Sequence, residues 1–363
     1  MTPGGSSAAQ VIDGPTRDAA AALERRTAAH ARVHAARAAG LLVALGVLGL
    51  CVLLSIAVGA KAIPLSTVWQ ALWNYDGSYD HSVIFELRLP RTLLGVAVGA
   101  ALGLSGALMQ ALTRNPLADP GILGINAGAA AAVVLAVYVF GLTDLNAYVW
   151  FAFAGAALTT VVVYVLGSAG RGGATPVRLA LAGTAIGAVL IGLVHGVIIL
   201  NEFVFDQIRF WQIGSLVGRD LGVFTAVLPF LLAGTLLALL LGSQLNAVAL
   251  GEDLAAALGA RVNRTRAVTA LAIVLLCGGA TAAAGPIAFV GLTVPHVARA
   301  LIGPDQRWVL PYSAVLAAIL LVGADTLGRI VLPTGELEVG IITALVGAPV
   351  FIALVRRKKV AKL

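Results

Sequence analysis

At 363 residues, with 60% hydrophobic and only 11% charged side chains, the chain is too apolar for a soluble globular domain, where about a quarter of residues are charged. Its formal charge of +7 would suit a polyanion, but the basic residues gather at both termini and at the ends of apolar runs. That is a membrane-topology pattern, and no nucleic-acid partner is expected.

The charge-free runs are 38–60, 92–113, 120–143, 145–170, 179–201, 221–251, 267–298, 308–324 and 339–355. A membrane-spanning helix needs ~20 apolar residues. Backbone groups must be satisfied inside lipid, and no alternating barrel pattern is present, so these runs predict helices. Both basic ends should be cytoplasmic, which requires an even number of spans. The run 267–298 is too long for one ordinary span and is interrupted at Gly285-Pro286; dividing it gives an all-α integral membrane protein with about ten transmembrane helices. The outer side then keeps Lys61, Arg88, Arg91, Arg209, Arg219 and Arg329, and every other Lys or Arg falls inside. Cys51 and Cys277 lie in apolar runs and read as buried thiols.

Residues 1–16 are rich in Gly, Ser and Pro and are expected to be disordered. Residues 17–38, rich in Ala and Arg, are expected to form a helix on the cytoplasmic membrane face. Asp18 and Glu24 argue against a transit peptide, no cleavable signal is seen, and the first span near 41–60 serves as the insertion signal. The domains are therefore a cytoplasmic N-terminal extension (1–40), a transmembrane domain (41–357) and a basic cytoplasmic tail (358–363). Residues 61–87 read as an outer loop whose Trp69, Trp73, Tyr75 and Tyr79 suit the membrane interface.

The stretch 88–128 organises the rest. Two arginines flank a proline at its start, and Gly95, Gly99 and Gly103 then recur every four residues, with Ala107 continuing the step. That puts a stripe of minimal side chains on one helix face, where another helix can approach closely. The polar, proline-bracketed loop 114–120 closes a helical hairpin. Span four covers about 148–167 and span five about 178–200. Residues 202–221 are amphipathic and should lie along the outer surface, with span six after them. The inner loop 243–266 holds the short Ala-rich segment 251–259, GEDLAAALG, which could seat in a groove on a cytoplasmic partner or lie against lipid. Spans seven and eight share 267–302. Span nine covers about 309–328 and ends at Asp325 and Arg329. Span ten covers about 339–355.

Few residues suggest chemistry. No Walker A loop occurs, so the chain cannot bind ATP in that way. No His/Cys/carboxylate cluster has metal spacing. Gly103-Leu-Ser105-Gly106 with His195 in span five could be an intramembrane serine protease, but Ser105 lies beside the small-residue stripe, where a hydroxyl serves packing. His195 reads as an interior or pathway-lining histidine. The spans lack the buried carboxylates that a proton- or sodium-driven secondary transporter uses. Arg88, Arg91 and Arg329 at outer span ends could be snorkelling side chains, with Arg329 pairing Asp325, or a basic patch for an acidic partner.

Several long motifs in order carry a family resemblance: RLPRTL at 88–93, GALMQALTRNPLADPG at 106–121, RFWQIGSL at 209–216, GEDLAAALG at 251–259, GPIAFVGLTVPH at 285–296, ADTLGR at 324–329 and LVGAPVFIALVRR at 345–357. From about residue 41 to its end the chain resembles the permease subunits of type II ABC importers for iron–siderophore complexes and vitamin B12. The wording is closest to permeases for ferric catecholate siderophores such as ferric enterobactin, with cobalamin or haem as alternative cargo.

The resemblance implies a ten-span subunit that dimerises with a second permease in membrane lipid and is itself no enzyme. It implies two cytoplasmic ATPase subunits, which bind the ATP and magnesium, docking on Gly251, Glu252, Leu254, Ala255, Leu258 and Gly259. It implies an extracytoplasmic siderophore-binding protein whose acidic residues meet Arg88, Arg91 and Arg329, and no cofactor in this chain. Within 171–177, RGGATPV, only Thr175 matches the hydroxyl residues some relatives carry at the cytoplasmic gate, so no gate residue is assigned. Many members have Glu-Leu-Pro before the last span, whereas this chain has Glu336-Leu337-Glu338.

Overall fold

The computed structural model describes residues 13–59, 61–169, 175–257, 259, 261–332 and 335–356. Their regular structure is entirely helical, joined by short turns and loops, and no strand occurs among them. The chain divides into two units, 1–44 and 45–363. The described part of the first is the start of α1 (Asp13–Ala57). In sequence order the helices after α1 are α2 (Leu65–Trp73), α3 (Tyr79–Thr113), α4 (Ile125–Phe140), α5 (Leu145–Ser168), α6 (Pro176–Leu200) and α7 (Glu202–Ile213). They continue with α8 (Leu221–Leu240), α9 (Gly242–Ala249), α10 (Glu252–Ala257), α11 (Val262–Ala284), α12 (Val290–Ile302), α13 (Gln306–Val331) and α14 (Val339–Arg356).

Among the described residues seven helices are long and apolar enough to cross a membrane: α3, α5, α8, α11, α13 and the segments Ala31–Ala57 and Val177–Leu200. The apolar helices Ile125–Phe140, Val290–Ile302 and Val339–Ala353 are shorter. α11 stops at Ala284 because Gly285 turns left-handed (φ +77°) and the chain runs on as Pro286. A side chain at Gly285 would land 1.8 Å from the Trp211 carbonyl, so the break is wedged against the end of α7. Ser215 N–H closes the wedge by donating to Ala284 O at 2.7 Å.

The expected outer loop 61–87 is largely helical. α2 buries Val68 and Ala71 and exposes Trp69 and Trp73. α3 begins at Tyr79, inside the stretch 61–87 that the sequence pattern read as a loop, and runs on through Pro90. Proline lacks an N–H and crowds the carbonyl four residues back, so it normally ends or kinks a helix. Here a π-helical turn at Val83–Arg88 precedes it and admits the ring without a stop. The inner loop 243–266 is likewise largely helical, as α9, α10 and the start of α11.

α3 is the central element. It is mostly buried within the chain and packs most extensively on α13, then on α11, α12 and α8. Gly95, Gly99 and Gly103 face α13. A side chain at Gly99 would meet Ala318 Cα at 2.7 Å, and one at Gly103 would meet Ser313 O at 2.2 Å, whereas Gly95 faces side chains of Leu216 and Val322 at 3.3 and 3.4 Å. On another face Gly106 touches Gly291 of α12, where an added Cβ would lie 1.9 Å from the carbonyl oxygen. Arg114 ends α3 in a left-handed conformation (φ 49°).

Candidate functional site

Two places gather polar side chains. At the first, three arginines converge from the start of α3 and the end of α13. Arg88 Nη1 donates to Ile56 O at 2.7 Å and Ala57 O at 2.8 Å, and Nη2 donates to Lys61 O. It therefore covers the open carbonyls at the C-terminal end of α1, where a cation is favoured. Arg91 approaches Asp325 with Nε (3.0 Å to both carboxylate oxygens) and Nη2 (2.8 Å), and donates from Nη1 to Glu336 Oε2 at 2.6 Å. Arg329 reaches the same Asp325 through Nε at 3.2 Å and through Nη2. It also donates from Nη1 to Ser55 O at 2.8 Å. Ser55 in turn hydrogen-bonds the Thr92 hydroxyl at 2.8 Å. Asp325 is only 2% exposed. A buried carboxylate is tolerated when its oxygens are paired and hydrogen-bonded, and two guanidinium groups do that here.

The sequence pattern brings Arg88, Arg91 and Arg329 to one place, but the structure turns them inward. They are 7%, 9% and 5% exposed. Of the sequence readings, the Arg329–Asp325 pair is present, while Arg91 neither snorkels nor stands free. Beside them a cavity of about 410 Å³ opens at the surface of the chain, with a lining that includes Lys61, Arg88, Arg91, Arg219, Arg329 and Glu336. A neighbouring cavity of about 540 Å³ adds Tyr148, Trp211, Ser215 and Glu338. Burial pushes the Glu338 carboxyl above its ordinary range, opposed by a hydrogen bond from Ser215 and by the charges of Arg91 and Arg219. Such a cavity can receive carboxylates. It offers no activated nucleophile, and no cluster of metal-ligating side chains occurs among the described residues.

The second place lies around α10. Gly251 and Gly259 bound it with positive φ (115° and 84°). Leu254 is half exposed and Ala255 is fully buried. Leu258 lies outside the described residues, as does the Glu252 side chain. Beside it, Asn246 of α9 holds the turn before α13 in a reciprocal pair. Its Nδ2 donates to Asp305 Oδ1 at 2.6 Å, and its Oδ1 accepts from Gln306 N–H at 2.8 Å. Sequence reasoning missed this joint. Its one legible half is Asp305, an N-cap residue just ahead of an apolar helix.

Arg307 beside it holds the Asp305 carboxyl down at about 2. A depressed folded value stabilises above the unfolded value of ~3.9 and is lost as pH falls through the folded one. The stability difference between the wild type and Asp305→Asn should therefore be constant from about pH 5 to 8. It should shrink as pH drops from ~4 toward 2. Thermal unfolding in detergent checks this; a difference that varied across pH 5–8 would contradict it.

Near the C-terminal end of α3, Arg299 of α12 donates to Gln110 Oε1, and Gln110 Nε2 donates to Leu292 O at 3.1 Å. His296 meets Pro116 O at 2.6 Å. Ser105 is fully buried and donates to Leu102 O at 3.1 Å within its own helix. His195, read as an interior or pathway-lining histidine, is not in the interior of the chain: it is exposed on α6, a helix that turns most of its surface away from the rest of the chain. The two do not form a catalytic pair. Thr175 is the N-cap of α6, accepting from Arg178 N–H at 3.4 Å; residues 171–174 of the expected gate region lie outside the described residues.

The model of the FecCD transport family matches residues 47–357. The ferric enterobactin transport system permease protein FepD of Escherichia coli (strain K12) is 52% identical over 306 residues, covering 84% of this chain and 91% of that one. The iron(3+)-hydroxamate import system permease protein FhuB of Bacillus subtilis (strain 168) is 42% identical over 344 residues, covering 92% and 88%. The hemin transport system permease protein HmuU of Yersinia pestis is 39% identical over 307 residues, covering 83% and 90%. Among solved structures, an inward-facing metal-chelate type ABC transporter superposes with a TM-score of 0.76 at 28% identity, over 87% of this chain and 98% of that one. With α3 at the centre of its bundle and a family match that runs through nearly all of it, the chain belongs to the FecCD transport family, as a multi-pass permease subunit of the cytoplasmic membrane and not an enzyme.

Proposed function

We propose that this chain is the permease of an ATP-driven importer that carries a ferric siderophore across the cytoplasmic membrane by alternating access. The observation that carries this reading is the 52% identity to FepD along 91% of that protein. The relative named for hemin is more distant, at 39%, which leaves haem and cobalamin as second choices.

The proposal includes ten spans with both termini cytoplasmic. The seven long apolar helices, the three shorter ones and the inward bias of Lys and Arg support it. In that topology the arginine cavity faces outward and α10 faces the cytoplasm. A siderophore-binding protein docks outside at Arg88, Arg91 and Arg329, and a second permease, identical or paralogous, completes the pathway. Two ATPase subunits, carrying ATP and magnesium, dock on Gly251, Glu252, Leu254, Ala255, Leu258 and Gly259. Motion from the ATPases enters at α10, crosses the Asn246–Asp305 joint and moves α13 together with α3 as one rigid unit. Close packing through glycine suits such rigid-body movement.

Uptake of labelled ferric siderophores, haem and cobalamin, in cells with and without the gene, tests the cargo. Loss of one ferric chelate is expected, and loss of only haem or cobalamin uptake would overturn the choice. Leu254→Asp should cut uptake by about tenfold, as removal of an exposed apolar anchor does at an interface, with a normal amount of permease in the membrane. Wild-type uptake and undiminished ATPase co-purification would contradict docking there.

A further inference from the structure

The three outer arginines differ in what occupies them. Arg88 is bonded to backbone carbonyls and Arg329 to Ser55 and Asp325. Arg91 turns Nε and Nη2 inward to Asp325, but its Nη1 points to Glu336 at 2.6 Å. The two carboxylates are unlike. The Asp325 side chain is 3% exposed, whereas that of Glu336 is 31% exposed, at the cavity rim.

Pairs open to solvent are weak, and buried pairs are costly to break. A carboxylate arriving from outside would therefore displace Glu336 and leave Asp325 in place. The backbone beside Glu336 is held: Gly335 has a positive φ of 83°, and Leu337 N–H donates to Gly328 O at 3.0 Å. Release of Glu336 then needs only a side-chain rotation.

We propose that Glu336 is a built-in competitor for the docking site. Its carboxylate holds the outward edge of Arg91 until a carboxylate on an acidic protein surface replaces it. The occupant is a glutamate or aspartate of the extracytoplasmic binding protein, so the proposal rests on the docking reading above. The exchange holds the affinity down and lets the binding protein leave after each delivery. It also keeps Arg91 neutralised between encounters, so the cavity does not retain stray anions.

The test uses the full permease–ATPase complex in lipid nanodiscs and the purified siderophore-binding protein of the same importer, with the dissociation constant measured at low salt. Glu336→Gln keeps the shape and removes the charge; it should tighten docking by up to about fivefold, the upper end of what an exposed ion pair supplies. Glu336→Asp, one methylene short of Arg91, should tighten it less. Wild-type affinity or weaker docking in Glu336→Gln, at unchanged thermal stability, would overturn the proposal, and weaker docking would make Glu336 itself a contact for a basic group on the partner.

Two further arms separate failure of the docking reading. Raising salt from ~50 to ~500 mM should weaken wild-type docking, and so should Arg88→Gln. If neither does, the arginine cavity is not the docking site and both readings fall. If both do and Glu336→Gln does not tighten, only the competitor falls.

Discussion

Asp325→Ala is expected to leave little folded permease in the membrane. The carboxylate lies between the Arg91 and Arg329 guanidinium groups and is almost wholly buried. Removing one partner of a buried ion cluster typically costs about 3–5 kcal/mol, because the remaining charges stay buried without compensation. Here two guanidinium groups would be left, each on a different helix. A whole domain is stable by only about 5–15 kcal/mol, so the loss falls on assembly itself. Asp325→Asn retains the hydrogen-bonding shape and should lie between. Arg91→Met combined with Asp325→Leu removes a charge of each sign, and should recover part of the yield lost in Asp325→Ala. Yield and melting temperature of detergent-extracted protein decide this. Wild-type values for Asp325→Ala would show that the cluster is not what joins α3 to α13.

Gly106→Ala should be nearly as damaging, though it adds one methyl group. The new Cβ would sit 1.9 Å from the Gly291 carbonyl oxygen, closer than any van der Waals contact, and backbone cannot rotate aside as a side chain can. α3 and α12 would have to separate, stretching the Gln110 contacts to the Leu292 carbonyl and to Arg299. Overpacking usually costs about 1–3 kcal/mol. Gly323→Ala on α13 is the control, because nothing lies within 4 Å of its added Cβ. A lower melting temperature and lost uptake are expected for Gly106→Ala and neither for Gly323→Ala. Equal behaviour of the two would mean that the α3–α12 crossing is loose.

Much of this arrangement was legible because lipid imposes a simple code. Charge-free runs marked the helices, and Gly285-Pro286 marked the break, since both residues oppose a continuous helix. The step-of-four glycines pointed to a close approach at α13. The second approach at Gly106 sits on a different face and belongs to no repeat, so nothing singled it out. The first turns of α3 were read as loop because Asp80, Glu86 and Arg88 lie outside the charge-free run; the π-helical turn ahead of Pro90 has no sequence signature. The Arg329–Asp325 pair was legible as an i,i+4 contact, but the inward turn of Arg91 was not, because its counter-ion Asp325 is remote in the chain and pairing across such a distance leaves no local pattern. The Asn246–Asp305 joint was hidden for the same reason, its halves being 59 residues apart.

The Arg91–Asp325 separation has a consequence for how the protein is made. The two residues are 234 positions apart. A ribosome adds about 5–20 residues per second, so Arg91 is synthesised roughly 10–50 s before its counter-ion exists. Throughout that interval the nascent amino-terminal helices hold an arginine without its buried counter-ion, with only water or a headgroup phosphate to satisfy it. The early helices therefore gain their permanent seat only when the late ones arrive. A chain cut short before Asp325 should be cleared by membrane proteases, however well its first helices inserted.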